Sequence, residues 1–112
     1  MEEFVILVLL WVKDINLLII YMLYDNKKYI VEFFGTLLLT FVILVTDNYL
    51  AYGATEALIC YFGQPISGAA YNPAIALAFL ANKEISNLEI IPYILFEIIG
   101  ALSGYFLYKL IK

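Results

Sequence analysis

The chain has 112 residues, of which 65% are hydrophobic and 14% are charged. Soluble domains average about 25% charged residues, so this composition is typical of a membrane protein. There is no histidine, one cysteine and, since all six basic residues are lysine, no arginine. These counts exclude histidine-based and zinc chemistry, a disulfide framework and a basic surface for nucleic acid. We therefore expect a lipid bilayer as the main partner, and neither a metal, a cofactor nor nucleic acid.

The first apolar segment runs from Phe4 to Tyr24 and is interrupted near its middle by Lys13 and Asp14. On the insertion scale its apolar residues gain roughly 4 to 8 kcal/mol, while the two charges cost about 5 to 7 kcal/mol. The two sums nearly cancel. Residues 1–28 are therefore predicted to form an N-terminal hydrophobic extension that either spans the bilayer against neighbours or lies at its interface.

Two further helices are predicted on either side of the turn signal Asp47-Asn48. Ile30 to Thr46 has 17 residues and reaches about 26 Å as a helix, which just spans a bilayer. Tyr49 to Phe62 has 14 residues and reaches about 21 Å, so it can span only inside a bundle.

A segment rich in small and helix-breaking residues follows, from Gly63 to Tyr71, and then Asn72-Pro73 opens an apolar run to Ala81. Asparagine at the N-cap with proline at the first helical position is a strong helix start. The nine residues Pro73 to Ala81 reach about 13 Å, half of a bilayer. Irregular backbone beside a half-length helix is tolerated at membrane depth only where it is buried in protein or lines a cavity.

The last apolar segment, Ile90 to Ile111, is a full span, and its Gly100 and Gly104 lie four residues apart, a spacing that favours close helix contact. The sequence therefore predicts an all-α membrane protein with three transmembrane helices, a re-entrant half-helix and an additional N-terminal hydrophobic segment.

Three motifs resemble the aquaporin and glycerol-facilitator family. Residues 66–74, Ile-Ser-Gly-Ala-Ala-Tyr-Asn-Pro-Ala, resemble its first pore loop, whose pattern is Ser-Gly-Ala-His-x-Asn-Pro-Ala. Residues 32–36 are similar to its first-helix signature, and residues 93–101 to its third-helix pattern Tyr-x-x-Ala-Gln-x-x-Gly-Ala. Ala70 stands in place of the usual histidine and Glu97 in place of the glutamine. The resemblance covers about residues 29–112, a half-repeat with its pore loop at 63–81.

The family builds its pore from two inverted halves, each of which contributes a half-helix, and this chain resembles the first half only. The resemblance thus implies a multi-pass channel subunit for water, glycerol or other small neutral solutes. A second half-repeat would complete the pore, either from an inverted copy in a homo-oligomer or from a separate chain. The alternative is a non-conducting truncated scaffold or a modulator of another channel. An enzyme is disfavoured because no nucleophile has a base beside it.

The resemblance implies pore-lining roles for Asn72, Pro73 and Ala74, with the Asn72 carboxamide presenting N–H donors to the lumen near the positive end of the half-helix. The alternative is that Asn72 merely caps a buried helix. Tyr52, Glu56 and Cys60 recur every fourth residue and so share one helix face, which the resemblance also places on the lumen. The alternative is that this stripe packs against another helix.

Four residues are expected to support the pore loop: Glu32, Ser67, Gly68 and Glu97. In the family the residues corresponding to the two glutamates brace the pore loops by accepting hydrogen bonds, which satisfies backbone donors that an irregular loop leaves free. A proton relay through Glu32, Glu56 and Glu97 is the alternative.

Overall fold

A computed structural model describes the backbone of residues 1–24 and 26–112 and the side chains of residues 1–20 and 26–112. Within these residues the protein is helical and has no strands. The part of the chain that the structure describes contains five helices: α1 (Glu2–Tyr24), α2 (Asn26–Thr46), α3 (Tyr49–Ser67), α4 (Pro73–Ala81) and α5 (Ile90–Ile111).

Among the described residues, α2 and α5 are long and apolar enough to cross a membrane. Their 21 and 22 residues correspond to about 31 and 33 Å. They pack closely against each other because glycine on α5 leaves room for the backbone of α2. A Cβ atom on Gly100 would overlap the carbonyl oxygen of Phe33, and one on Gly104 would lie 2.6 Å from the carbonyl oxygen of Leu37.

Helix α3 is longer than predicted: it runs to Ser67, so the expected end at Phe62 was wrong. Pro65 lies inside the helix, but in its last turn, where the missing N–H leaves only one carbonyl without its helical partner. The helix ends at Gly68, which adopts a left-handed conformation (φ +84°) and donates its N–H to the carbonyl of Gln64. The predicted helix start is confirmed, because the Asn48 side chain accepts the N–H groups of residues 50 and 51.

The half-length helix α4 has the predicted bounds, Pro73–Ala81. The following segment, residues 82–89, leads to α5. Near its end the Glu89 carboxylate accepts a hydrogen bond from the Lys28 ammonium at 2.7 Å. This ion pair holds the beginnings of α2 and α5 at the same end of the bundle.

The glycine contacts between α2 and α5 lead to the first prediction. Gly100→Ala should lower the free energy of unfolding by about 1 to 3 kcal/mol, because the new methyl group meets backbone that cannot rotate away. Gly53→Ala is the matched control, since a Cβ there meets no atom within 4 Å. Thermal unfolding of the two variants in detergent should separate them. Equal stability would show that α2 and α5 are not in close contact.

The Lys28–Glu89 pair leads to a prediction about pH. Burial raises the pKa of Glu89, but hydrogen bonds from Lys28 and Ser86 lower it more, so the pKa lies below its ordinary value of 4.5. The unfolded chain therefore binds this proton more readily, and the stabilisation is present above pH 4.5 and is lost as the pH falls through the folded-state pKa. We expect the loss to be about 0.5 to 1 kcal/mol.

The measurement is thermal unfolding as a function of pH for the parent, Lys28→Met and Lys27→Met. Lys28→Met should weaken the acid-dependent loss, whereas Lys27→Met, which changes an exposed neighbouring lysine, should keep it. A profile that is the same in all three proteins would contradict the role of the pair.

Candidate functional site

The loop between α3 and α4 has an unusual backbone. Gly68, Ala69 and Tyr71 have φ values of +84°, +59° and +54°. Left-handed backbone is uncommon for residues other than glycine, because each such residue costs on the order of 1 to 3 kcal/mol and persists only where its surroundings impose it. The loop therefore depends on specific anchors.

The main anchor is Glu32 of α2, whose side chain is fully buried. Its two carboxylate oxygens accept the backbone N–H groups of Ala70 at 3.0 Å and Tyr71 at 2.6 Å. The Thr36 hydroxyl, one turn later, lies 2.6 Å from the carbonyl oxygen of Glu32 and 3.3 Å from that of Tyr71. Thr36 was not predicted as a support residue, although its spacing of four from Glu32 places it on the same helix face.

Tyr71 is a second anchor that the sequence analysis missed. Its hydroxyl donates to the carbonyl of Ile59 on α3 at 2.7 Å. A Cβ atom on Gly35 would overlap the Tyr71 ring, and one on Gly63 would overlap its hydroxyl. The two glycines thus form a slot between α2 and α3 that admits the tyrosine side chain.

Ser67 and Gly68 lie where α3 ends and the loop begins. The Ser67 hydroxyl oxygen accepts the N–H of Ala69 at 3.1 Å, and the Ser67 carbonyl accepts the Tyr93 hydroxyl at 2.6 Å. Glu97 of α5 is fully buried, and neither of its carboxyl oxygens accepts a hydrogen bond from the described residues. Glu97 thus differs from Glu32, whose two carboxylate oxygens both accept backbone N–H groups.

Asn72 is the N-cap of α4. Its carboxamide oxygen accepts the N–H of Ala74 at 2.8 Å, and Pro73 occupies the first helical position. Within the described residues the carboxamide nitrogen has no partner, and the side chain is exposed. The Asn72 N–H donors and the positive end of the α4 dipole therefore occur at the same place.

A cleft of about 320 Å³ brings several of these groups together. It is lined by Leu39, Tyr52, Gly53, Glu56, Ala70, Tyr71, Asn72 and Ile75. Of the predicted stripe on α3, Tyr52 and Glu56 line the cleft and Cys60 does not. The Cys60 sulfur lies 3.7 Å from a Glu56 carboxylate oxygen, and the side chain packs against a buried cluster that includes Leu39 and Ile59.

The sequence of this chain matches the profile of a known protein family. The sequence profile of the family described as Major intrinsic protein matches residues 22–112. The chain belongs to the major intrinsic protein family. The predicted resemblance is thereby confirmed, and with it an aquaporin-like, all-α membrane protein.

Several relatives are similar to this chain. The glycerol uptake facilitator protein-like 6 of Lactiplantibacillus plantarum is 36% identical over 85 residues, which cover 68% of this chain and 39% of that protein. The lens fiber major intrinsic protein of Gallus gallus is 33% identical over 90 residues, 70% of this chain and 34% of that protein. Aquaporin-5 of Sus scrofa is 36% identical over 55 residues, which cover 49% of this chain and 21% of that protein. The matched part of this chain thus spans 39% and 34% of the length of the first two relatives. No solved structure gives a significant match.

The anchoring role of Glu32 leads to a prediction. Glu32→Gln replaces one acceptor oxygen by an NH₂ group, so a buried backbone N–H of Ala70 or Tyr71 loses its partner. We expect the free energy of unfolding to fall by about 1 to 3 kcal/mol. Thermal unfolding in detergent measures the change. Glu84→Gln in the exposed segment after α4 is the control and should behave like the parent; if Glu32→Gln does so too, the anchor is unimportant.

Proposed function

We propose that this chain is a subunit of a membrane channel, and not an enzyme, that passes water or small neutral solutes passively. The observation that carries the proposal is the meeting of Asn72, Tyr52 and Glu56 in one cleft at the beginning of α4. N–H donors and the positive end of a half-helix orient single-file water and oppose cations. The channel unit comprises residues 29–112, and residues 1–28 form an extension to it.

Each lining residue has a proposed role. Asn72, with Pro73 and Ala74 in the first turn behind it, presents the donors at the middle of the pore. Tyr52 narrows the pore and Glu56 adds an acceptor one turn away. Cys60, the next residue along the stripe, is not part of the cleft lining, and its sulfur lies 3.7 Å from a Glu56 carboxylate oxygen.

The length of α4 supports the need for a second unit. Its nine residues reach about 13 Å, less than half of a hydrocarbon core of about 30 Å. In inverted-repeat transporters and channels, a second half-helix enters from the opposite side. We propose that this half-helix comes from an inverted copy of the chain or from a separate chain that carries the second half-repeat.

The placement of lysine permits an inverted copy. Lys28 lies at the beginning of α2 near Glu89, so Lys27, Lys28 and Lys83 belong to one end of the bundle. Lys109 and Lys112 are at the other end, at the end of α5. Orientation follows the lysine bias between the two sides, and, apart from Lys13 in α1, three lysines against two is a weak bias. The chain can therefore insert in both orientations.

Liposome swelling with the purified chain tests conduction. The parent should accelerate water flow over protein-free vesicles, and Asn72→Asp should reduce that flow several-fold. The substitution replaces donors by acceptors and places a carboxylate at the positive end of the dipole, where it binds water and cations more tightly.

The matched control is Asn87→Asp, an exposed asparagine between α4 and α5, which should conduct like the parent. If Asn72→Asp conducts as fast as a conducting parent, Asn72 does not line the pore. If the parent is inactive both alone and with any chain that copurifies with it, the alternative of a non-conducting scaffold is favoured.

The inverted assembly makes a separate prediction about topology. In sealed vesicles containing the chain with a C-terminal tag, an impermeant protease should remove the tag from about half of the molecules, as expected for an inverted dimer. Removal of all tags or of none, without a copurifying second half-repeat, would contradict the proposed assembly.

A further inference from the structure

Two buried carboxyl groups lie side by side beneath the loop. Glu32 on α2 and Glu97 on α5 are both 0% exposed. Gly100, one turn after Glu97, lies against the carbonyl group of Phe33, the residue that follows Glu32, and the Glu97 carboxyl interacts with the Glu32 carboxyl and with the backbone of Asn72. This pair therefore joins the loop anchor on one helix to the helix that packs behind it.

The hydrogen bonds of the two groups are unequal. Both oxygens of Glu32 accept backbone N–H groups of the loop, as a carboxylate does. Neither oxygen of Glu97 accepts a hydrogen bond within the described residues. The Lys28 ammonium, which is also on α2, binds Glu89. If both groups were ionised, a second negative charge would lie unpaired beside the first in the interior, an arrangement that two adjacent buried carboxyl groups avoid by keeping one proton.

We propose that Glu97 is a protonated carboxylic acid whose O–H donates a hydrogen bond to the Glu32 carboxylate. A carboxylate has about four acceptor positions on its two oxygens, so Glu32 can accept this bond in addition to its two bonds from the loop. The pair then carries one negative charge. Glu97 is a positioning residue: it orients Glu32, and Glu32 holds the loop that places Asn72 in the cleft.

In the proposed pair Glu97 is the hydrogen-bond donor and Glu32 is the acceptor. Substitutions at position 97 can separate this donor role from the space that the side chain fills. Glutamine at position 97 retains a donor of nearly the same shape but carries no titratable proton. Methionine has a similar size and no donor. A role limited to filling space is satisfied by either residue, whereas a donor role is satisfied by glutamine alone.

Infrared spectroscopy of the purified protein in lipid at neutral pH tests the protonation directly. The parent should show the carbonyl stretching band of a protonated carboxylic acid, which shifts when the sample is exchanged into D₂O. Glu97→Gln should lose this band, and Glu84→Gln should keep it. A parent spectrum without such a band, or a band that is unchanged in Glu97→Gln, would overturn the proposal.

Thermal unfolding supplies a second and independent measurement. Glu97→Gln should unfold near the parent's midpoint, whereas Glu97→Met should lower the midpoint by roughly 5 to 10 °C because the Glu32 charge loses a donor. Equal midpoints for glutamine and methionine would contradict the donor role. If the methionine variant does not fold at all, the infrared comparison of the parent with Glu97→Gln still decides. Neither measurement involves conduction, so the result is independent of the channel proposal.

Discussion

The two hydrogen bonds from the loop backbone to the buried Glu32 carboxylate are the interaction on which the rest of the site depends. Inside a bilayer no water can satisfy the N–H groups of an irregular segment. A carboxylate can satisfy two of them with one side chain, and it does so here for Ala70 and for Tyr71, of which Tyr71 adopts a costly left-handed conformation. With Ala70 and Tyr71 held in this way, α4 begins at a defined position in the bundle and Asn72 lines the cleft.

Small residues make this arrangement sterically possible. Gly35 and Gly63 form the slot that receives Tyr71, while Gly100 and Gly104 bring the backbones of α2 and α5 together. Association of helices in a bilayer relies on close packing and hydrogen bonds, because lipid chains are as apolar as the helix surfaces. Each glycine therefore contributes through the neighbour that it admits, and the contact between α2 and α5 also brings Glu97 to Glu32.

The polar groups of the protein are divided between support and cleft. Glu32 and Glu97 are fully buried behind the loop, whereas Glu56, Tyr52 and Asn72 line the cleft. An intramembrane carboxyl is costly wherever it lies, so each of the three glutamates needs its own source of stabilisation. For Glu32 this is the loop backbone, for Glu97 we infer a retained proton, and for Glu56 we propose water in a pore completed by a second unit.

The sequence by itself determined the features that rest on local chemistry and on composition. Hydropathy over about 20 residues located α2 and α5, and the Asn72-Pro73 start defined α4, because capping and proline geometry act over a few neighbouring residues. Glu32 was identified through a family motif, but its partners lie 38 and 39 residues away. The end of α3 at Ser67, the Tyr71 slot and the contact between Glu97 and Glu32 were decided only by the tertiary structure. These features depend on which surfaces of distant helices meet, and that outcome is set by packing between elements and not by the residues within any one of them.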